Sequence, residues 1–422
     1  MKRTKITYQN YLRLILASIV VSLCSILFVY ATKILTEHLE HVIFQSTQSN
    51  LKFLYILLPT VGITAIYFLR KYLFKGRKNK GITEIYKTLD HRKDHLPMFK
   101  IPSHLINGFL TVIFGGSTGI EVSSVVASAT IGNVVYKQKI AALSFKRELI
   151  CAGVTAAVAI LFVSPLAGFL FAIEVISRKT RKSLIVSGAV AALVSWLFII
   201  NFDSTPLLPF SVQEWNWYAL PLFAVLSIIG GSVSVYFTLL VTRMKKIFGN
   251  INNNFLRVNL GAISVGIMIF IFPVLYGDSY HGLTEVIESS SVSLLVLACL
   301  FILKPLAAAL TLGAGGDGGV FAPSIVAGAI LGLFFAQFCN SFFGMNLIPL
   351  NFALVGACAT LSASIYAPLT ALILTCNLVP NGYQLFFPLL IGCFLAKYFS
   401  QILLPYNVYT YDFYLLSKQS EK

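Results

Sequence analysis

The chain has 422 residues, 57% of them hydrophobic and only 11% charged, with a formal net charge of +16. A soluble globular domain carries about 25% charged residues, so this composition excludes ordinary solubility. The basic balance alone would admit a nucleic-acid partner, but its distribution along the chain follows membrane orientation instead, and no nucleic acid is expected.

Taken in chain order, the apolar residues form long runs: Leu14–Thr32, Phe53–Leu69, Leu149–Val175, Ser183–Ile200, Tyr218–Val241, Val258–Leu275, Val292–Leu312, Phe321–Phe338, Phe352–Leu378 and Leu385–Leu404. A hydrocarbon core of ~30 Å is crossed by roughly 20 helical residues, so the runs predict spans or tilted spans. They are continuous rather than alternating, which favours helices over barrel strands. The first run exceeds a signal-peptide core, and no small-residue cleavage pattern precedes Lys33, so it reads as a retained span. Basic residues cluster at Lys2, Arg3 and Lys5, within Arg70–Lys80, within Arg178–Lys182 and within Arg243–Lys246. The stretches Asn201–Glu214 and Tyr276–Leu303 hold Asp203, Glu214, Asp278, Glu285 and Glu288, and contain no Lys or Arg. This asymmetry predicts a multi-pass protein of a cell (inner) membrane with cytoplasmic basic loops and cytoplasmic termini. The seven cysteines, such as Cys24, Cys151, Cys299 and Cys393, stand singly, mostly in apolar runs, and read as packing residues.

Two segments interrupt the apolar pattern, one in each half. The first reads Gly115-Gly-Ser-Thr-Gly-Ile-Glu-Val-Ser-Ser124, and the second Gly313-Ala-Gly-Gly-Asp-Gly-Gly-Val-Phe-Ala-Pro323; each opens a helix. Glycine-rich breaks at membrane depth are tolerated only where they are buried in protein or line a cavity, and paired breaks point to a site between repeats. A helix start behind glycines exposes unpaired N–H groups at the positive end of the helix dipole. With no lysine or arginine in the second loop, that arrangement suits a small anion held weakly enough to leave. Asp317 opposes this, since its carboxylate can cap the same donors; close helix packing on small residues is the other reading of the glycines, and the two stand even on this loop. Glu121 is a carboxylate among apolar and hydroxyl residues at predicted membrane depth, where such a group is a functional candidate. Charged, it can occupy an anion site at a helix start; protonated, it can leave.

Enzyme chemistry is not expected. His38, His41, His91, His95, His104 and His281 are the only histidines, and the His91/His95 pair lies in a polar, charged stretch that reads as a solvated face. No nucleophile elbow or phosphate loop ending in Lys-Ser/Thr occurs. A purely structural membrane protein would leave Glu121 and the glycine loops without a purpose.

These residues resemble the CLC chloride channel and transporter family over nearly the whole chain. Gly319-Val-Phe-Ala-Pro323 is similar to the family's GIFAP signature, approached by Lys304-Pro and Thr311-Leu-Gly-Ala-Gly-Gly-Asp-Gly-Gly319. Gly119-Ile-Glu-Val-Ser123 stands where GREGP would be, matching at Gly119 and at the gating glutamate, Glu121. Pro165-Leu-Ala-Gly-Phe-Leu-Phe-Ala-Ile-Glu174 resembles PLAGxLFxxE, and Ser364-Ile-Tyr-Ala-Pro-Leu-Thr370 resembles the corresponding helix start in the second half. Val408-Tyr409-Thr410 resembles the segment that supplies the pathway tyrosine. The resemblance implies an all-α, CLC-type inverted-repeat bundle with broken helices, as a single membrane domain over 1–422 with halves of roughly 11–200 and 217–416. It implies a homodimer with one pathway per subunit and chloride as the transported ligand, with no cofactor. The anion would lie among the backbone N–H groups of Val320 and Phe321, the Tyr409 hydroxyl, and the segments at Gly119, Ile120, Lys80 and Gly81, with Glu121 as gate.

Three departures bear on mechanism. Asn79-Lys80-Gly81-Ile82-Thr83 replaces the family's GSGIP, so Lys80 stands for the serine that faces the central anion; it either adds an attractive charge or belongs to the basic run and snorkels to the surface. Val122 and Ser123 replace the Gly-Pro after the gate, and a β-branched side chain crowds that helix start. Val175 replaces the second glutamate of proton-coupled members and cannot relay a proton. That favours a chloride channel gated by Glu121, with a proton-coupled chloride exchanger as the alternative.

Overall fold

A computed structural model describes residues 2–77, 79–90, 94–139, 145–289 and 292–420. His91 of the His91/His95 pair lies outside them. Before the acidic connection the chain forms α1 (Lys2–Asn50), α2 (Leu54–Phe68), α3 (Ile82–Asp90), α4 (Lys100–Ile113), α5 (Glu121–Lys137), α6 (Lys146–Leu161), α7 (Pro165–Phe171) and α8 (Lys182–Phe202). After it come α9 (Leu220–Gly249), α10 (Asn254–Ile271), α11 (Tyr280–Glu288), α12 (Leu294–Ala314), α13 (Phe321–Phe343), α14 (Pro349–Ile365), α15 (Pro368–Leu378), α16 (Phe386–Leu403) and α17 (Tyr411–Ser420). Eight helices among the described residues are long and apolar enough to cross a membrane. The fold is an inverted-repeat helical bundle with broken helices.

Two of the predicted spans prove to be pairs of helices. Leu149–Val175 divides into α6 and α7, and Phe352–Leu378 into α14 and α15. Each ends its first helix in the left-handed region, at Val163 (φ 51°) and at Tyr366 (φ 57°). Each restarts at a proline in the first helical position, where the missing N–H costs nothing. Hydropathy cannot register such a break, because both arms stay apolar. The first span differs in the other direction. α1 continues to Asn50, well past Thr32, because its polar half has partners: Lys33 Nζ meets Asp203 Oδ2 at 2.7 Å, and a buried Glu40 accepts from the Asp278 amide at 3.3 Å.

The interior is built on close backbone approach. A Cβ at Gly132 of α5 would lie 2.2 Å from the Leu149 carbonyl of α6, and one at Gly332 of α13 would lie 2.0 Å from the Phe352 carbonyl of α14. Only glycine fits either place, and the two helix pairs correspond across the repeat. Small residues at crossings replace the hydrophobic drive that lipid cannot supply.

The repeat axis passes between the two glycine breaks. Gly119 and Gly319 form an isolated antiparallel bridge. On either side the loops exchange hydrogen bonds: the Ser117 amide donates to Thr311 Oγ1 at 3.1 Å, and the Asp317 amide donates to Thr111 Oγ1 at 2.9 Å. Within each loop the amide of the second glycine returns to its own threonine carbonyl, Gly116 to Thr111 at 2.7 Å and Gly316 to Thr311 at 3.0 Å. Thr111, Thr311, Ser117 and Asp317 are buried, so each of the two bonds between the loops, if left unmade, costs about 1–3 kcal/mol. Thr311→Val keeps the shape and removes the acceptor for Ser117. It is expected to lower the melting temperature of the detergent-solubilised protein by a margin matching about 1–3 kcal/mol, and Thr111→Val to do the same through Asp317. A melting temperature unchanged in both would show that the loops do not hold each other.

Candidate functional site

The first break turns directly into α5. Glu121 is the first helical residue, and no side chain caps the turn before it. Its carboxylate folds back over Gly119: a Cβ there would lie 2.1 Å from Oε2 and 2.4 Å from Oε1. Glu121 is 4% exposed, and Oε2 has no hydrogen-bond partner among the described residues. Oε1 accepts a long bond of 3.5 Å from the Tyr280 hydroxyl. Tyr280 in turn lines a cavity of about 410 Å³ at the acidic end of the molecule, together with Asp278, His281, His41 and Glu37.

The second break opens α13 with Val320 as its uncapped entry residue and Phe321 as its first helical residue. The Phe321 ring is fully buried against Phe162 and Phe171, at centroid distances of 5.9 and 5.2 Å. This packing anchors the helix start while its backbone N–H remains at the loop. The Tyr409 hydroxyl is buried, has no side-chain partner among the described residues, and lies near the Val320 backbone and Glu121. Below it lies a cavity of about 160 Å³ lined by Lys80, Gly81, Val122, Val320 and Tyr409 among others. The structure therefore brings Lys80, Gly81, Val320 and Tyr409 to one cavity at the basic end. It sets Gly119, Ile120, Glu121 and Phe321 immediately beyond, where the two loops bridge. Lys80 is exposed and is among the residues that line this cavity. Val122 fills the space between the loops, its side chain 2.5 Å from where a Gly319 Cβ would stand.

Asp317 does not cap α13. Its carboxylate turns away, accepting from Asn79 Nδ2 at 2.5 Å and from Ser123 at 3.3 Å, with His104 Nδ1 at 3.3 Å and Arg70 at 3.7 Å. The opposition raised by Asp317 is thus removed by residues far away in sequence. Arg70 also donates to the Gly315 carbonyl at 2.9 Å and so braces the loop. Lys304 is completely buried and donates to Ser117, Gly277 and Ser279 at 2.9, 3.0 and 2.6 Å, tying the first break to the acidic end. Glu174 caps α15, accepting from the amides of Leu369 and Thr370 and from the Thr370 hydroxyl. Val175 beside it is buried in the apolar core.

Sequence reasoning missed Thr111, Thr311, Asn79, His104 and Tyr280. A signal existed for the threonines, since Thr-x3-Gly-Gly-x2-Gly recurs with the same spacing at Thr111–Gly119 and Thr311–Gly319. None marked Tyr280, one of 19 tyrosines.

Two broken helices meeting start to start, with a buried carboxylate between two cavities, define an ion-transport protein of the CLC type. The family described as voltage gated chloride channel matches residues 61–401, and the chain belongs to that family. It is 28% identical over 348 residues to the H(+)/Cl(-) exchange transporter ClcA of Yersinia pestis bv. Antiqua (strain Angola), covering 80% of this chain and 72% of that one. It is 29% identical over 361 residues to ClcA of Cronobacter sakazakii, covering 82% and 75%. Among solved structures, a slow cyanobacterial Cl-/H+ antiporter superposes with a TM-score of 0.81 at 23% identity, over 97% of this chain and 98% of that one. A CLC-type fluoride/proton antiporter superposes with 0.77 at 22% identity, over 94% and 96%. At those identities the superpositions bear on the fold.

Gly119→Ala tests the seat of the carboxylate. Its methyl group would overlap the carboxylate and displace it at a cost of at least ~1–3 kcal/mol, equivalent to roughly tenfold or more in occupancy. Anion efflux from proteoliposomes is expected to exceed that of wild type and to gain less on acidification. Wild-type efflux should rise as pH falls; identical pH profiles would show that the carboxylate does not block there.

Proposed function

We propose that this protein exchanges chloride for protons across the membrane, with Glu121 serving both as gate and as proton carrier. The observation that carries this is the position of the Glu121 carboxylate between two cavities. It touches Tyr280, which lines the acidic-end cavity, and lies near Tyr409, which lines the basic-end one. In this reading chloride rests against the N–H groups of Val320 and Phe321 and the Tyr409 hydroxyl, with the Gly119–Ile120 and Lys80–Gly81 segments around it. The ionised carboxylate competes for the same donors. Protonation removes its charge and releases the seat to chloride, so proton and anion occupancy alternate.

Val175 favours the second reading, a passive chloride channel gated by the same glutamate. The relatives named as H(+)/Cl(-) exchange transporters support coupling over passive flow. Coupling without a carboxylate at position 175 needs another proton path from the basic end. The cavity below Tyr409, at about 160 Å³, far exceeds the ~10–15 Å³ that one water requires, and water there is the path we assign. The family resemblance supports a homodimer with a pathway in each subunit. The distribution of basic loops supports an inner-membrane orientation with both termini cytoplasmic.

The test is the reversal potential of purified protein in liposomes under a chloride gradient, with and without a pH gradient. Exchange predicts a potential displaced from the chloride Nernst value and moved further by the pH gradient. Glu121→Gln, isosteric and unable to ionise, should remove the pH dependence entirely while chloride still flows. A wild-type potential that follows chloride alone would return the protein to the channel reading.

A further inference from the structure

Beside the anion pathway, at the basic end, α2, α10 and the end of α12 enclose a second cavity of about 390 Å³. Its polar wall holds three cationic side chains, Arg70, Lys71 and Arg257, and no carboxylate. Ile63, Val258 and Leu312 add apolar surface to it, beside the amides of Asn79 and Asn254. A volume of this size suits a small organic ligand, and the division into a cationic end and an apolar end defines the ligand's chemistry.

Arg257 is placed at a cost that nothing else among the described residues explains. Arg257 stands in the first turn of α10, behind the Asn253 cap, where the helix dipole opposes a positive charge. It has no ion pair among the described residues, and its Nε is buried without an acceptor. Arg70 Nε is likewise buried and unpartnered, although its other nitrogens reach Gly315 and Asp317. The two guanidiniums lie near enough for their charges to repel. Two like charges on the wall of one cavity are relieved by a multivalent anion, and phosphate accepts the guanidinium fork in two bonds at once.

The depth of the cavity indicates the source of that phosphate. Phe68, Tyr72 and Leu73, at and just past the end of α2, and Phe255 and Leu256, at the start of α10, are exposed. Aromatic side chains at helix ends mark the headgroup level of a bilayer, and basic pockets between helices at that level take anionic lipid headgroups.

We propose that this cavity is a binding site for a phosphate-bearing anion, an anionic lipid whose headgroup phosphate lies between Arg70 and Arg257 and whose first acyl carbons lie on the apolar wall. Arg70 is shared with the anion cavity and holds Gly315, so an occupant here bears on the loop that opens α13.

The test is a thermal-melting titration of the full-length protein in phosphatidylcholine-containing micelles. Phosphatidylglycerol is added in one arm and inorganic phosphate in the other. Lipid binding raises the wild-type melting temperature with phosphatidylglycerol only. Arg257→Gln should need roughly tenfold more lipid for the same rise, whereas Arg257→Lys should stay nearer to wild type. Arg243→Gln, which removes the same charge from an exposed position outside the cavity, should titrate as wild type and separates this site from general attraction to a basic protein. Equal melting of all variants in phosphatidylcholine alone verifies their folding without reference to transport. An Arg257-dependent rise with inorganic phosphate as well would keep the site and assign it to a soluble phosphate ligand. A rise that is indifferent to Arg257 in both arms, or absent from both, overturns the proposal.

Discussion

The antiparallel meeting of the two glycine breaks, Gly119 against Gly319, is the contact on which the rest of the molecule depends. Inside a bilayer a helix cannot simply stop, because each interrupted turn strands backbone donors and acceptors. Here each loop supplies what the other lacks, through Thr311 for the Ser117 amide and Thr111 for the Asp317 amide. The exchange settles the needs of those two amides. In the function proposed for this chain, the transported ion is held by the backbone without any cation in the loops, and released again for the same reason.

Charged residues around this centre hold the geometry and stay out of the seat. Asp317, taken up by Asn79, His104, Ser123 and Arg70, anchors its loop to the first half of the chain. Lys304 ties Ser117 to the acidic end, and Glu174 binds the start of α15 to the end of α7. Glu121 differs from all of these. It has one long bond and one unpartnered oxygen, and so it is the carboxylate of the group least fixed in place. Fixed charges around a loosely held one are what a moving gate requires.

The two regions of the basic end have separate roles in this arrangement. The cavity under Tyr409 is polar and continuous with the loops, whereas the neighbouring one between α2 and α10 combines arginines with an apolar wall. Arg70 and Gly315 belong to both, so the two cavities share a support.

The sequence by itself determined the membrane setting, the helical class, the two breaks and Glu121, because each is written in local composition. Burial in lipid demands apolar runs, and a helix start at membrane depth demands glycine, proline or small residues. The same logic failed within Leu149–Val175 and Phe352–Leu378, where apolar residues on both sides of a proline concealed two helices in each. Only the tertiary structure decided that Asp317 turns from the α13 start, that Tyr280 meets Glu121, that Lys80 opens onto the cavity below Tyr409, and that Glu174 caps a helix from the other half. These outcomes depend on partners brought together across the repeat axis. Hydropathy and spacing record how a segment meets its solvent, and carry no record of which distant donor will reach it.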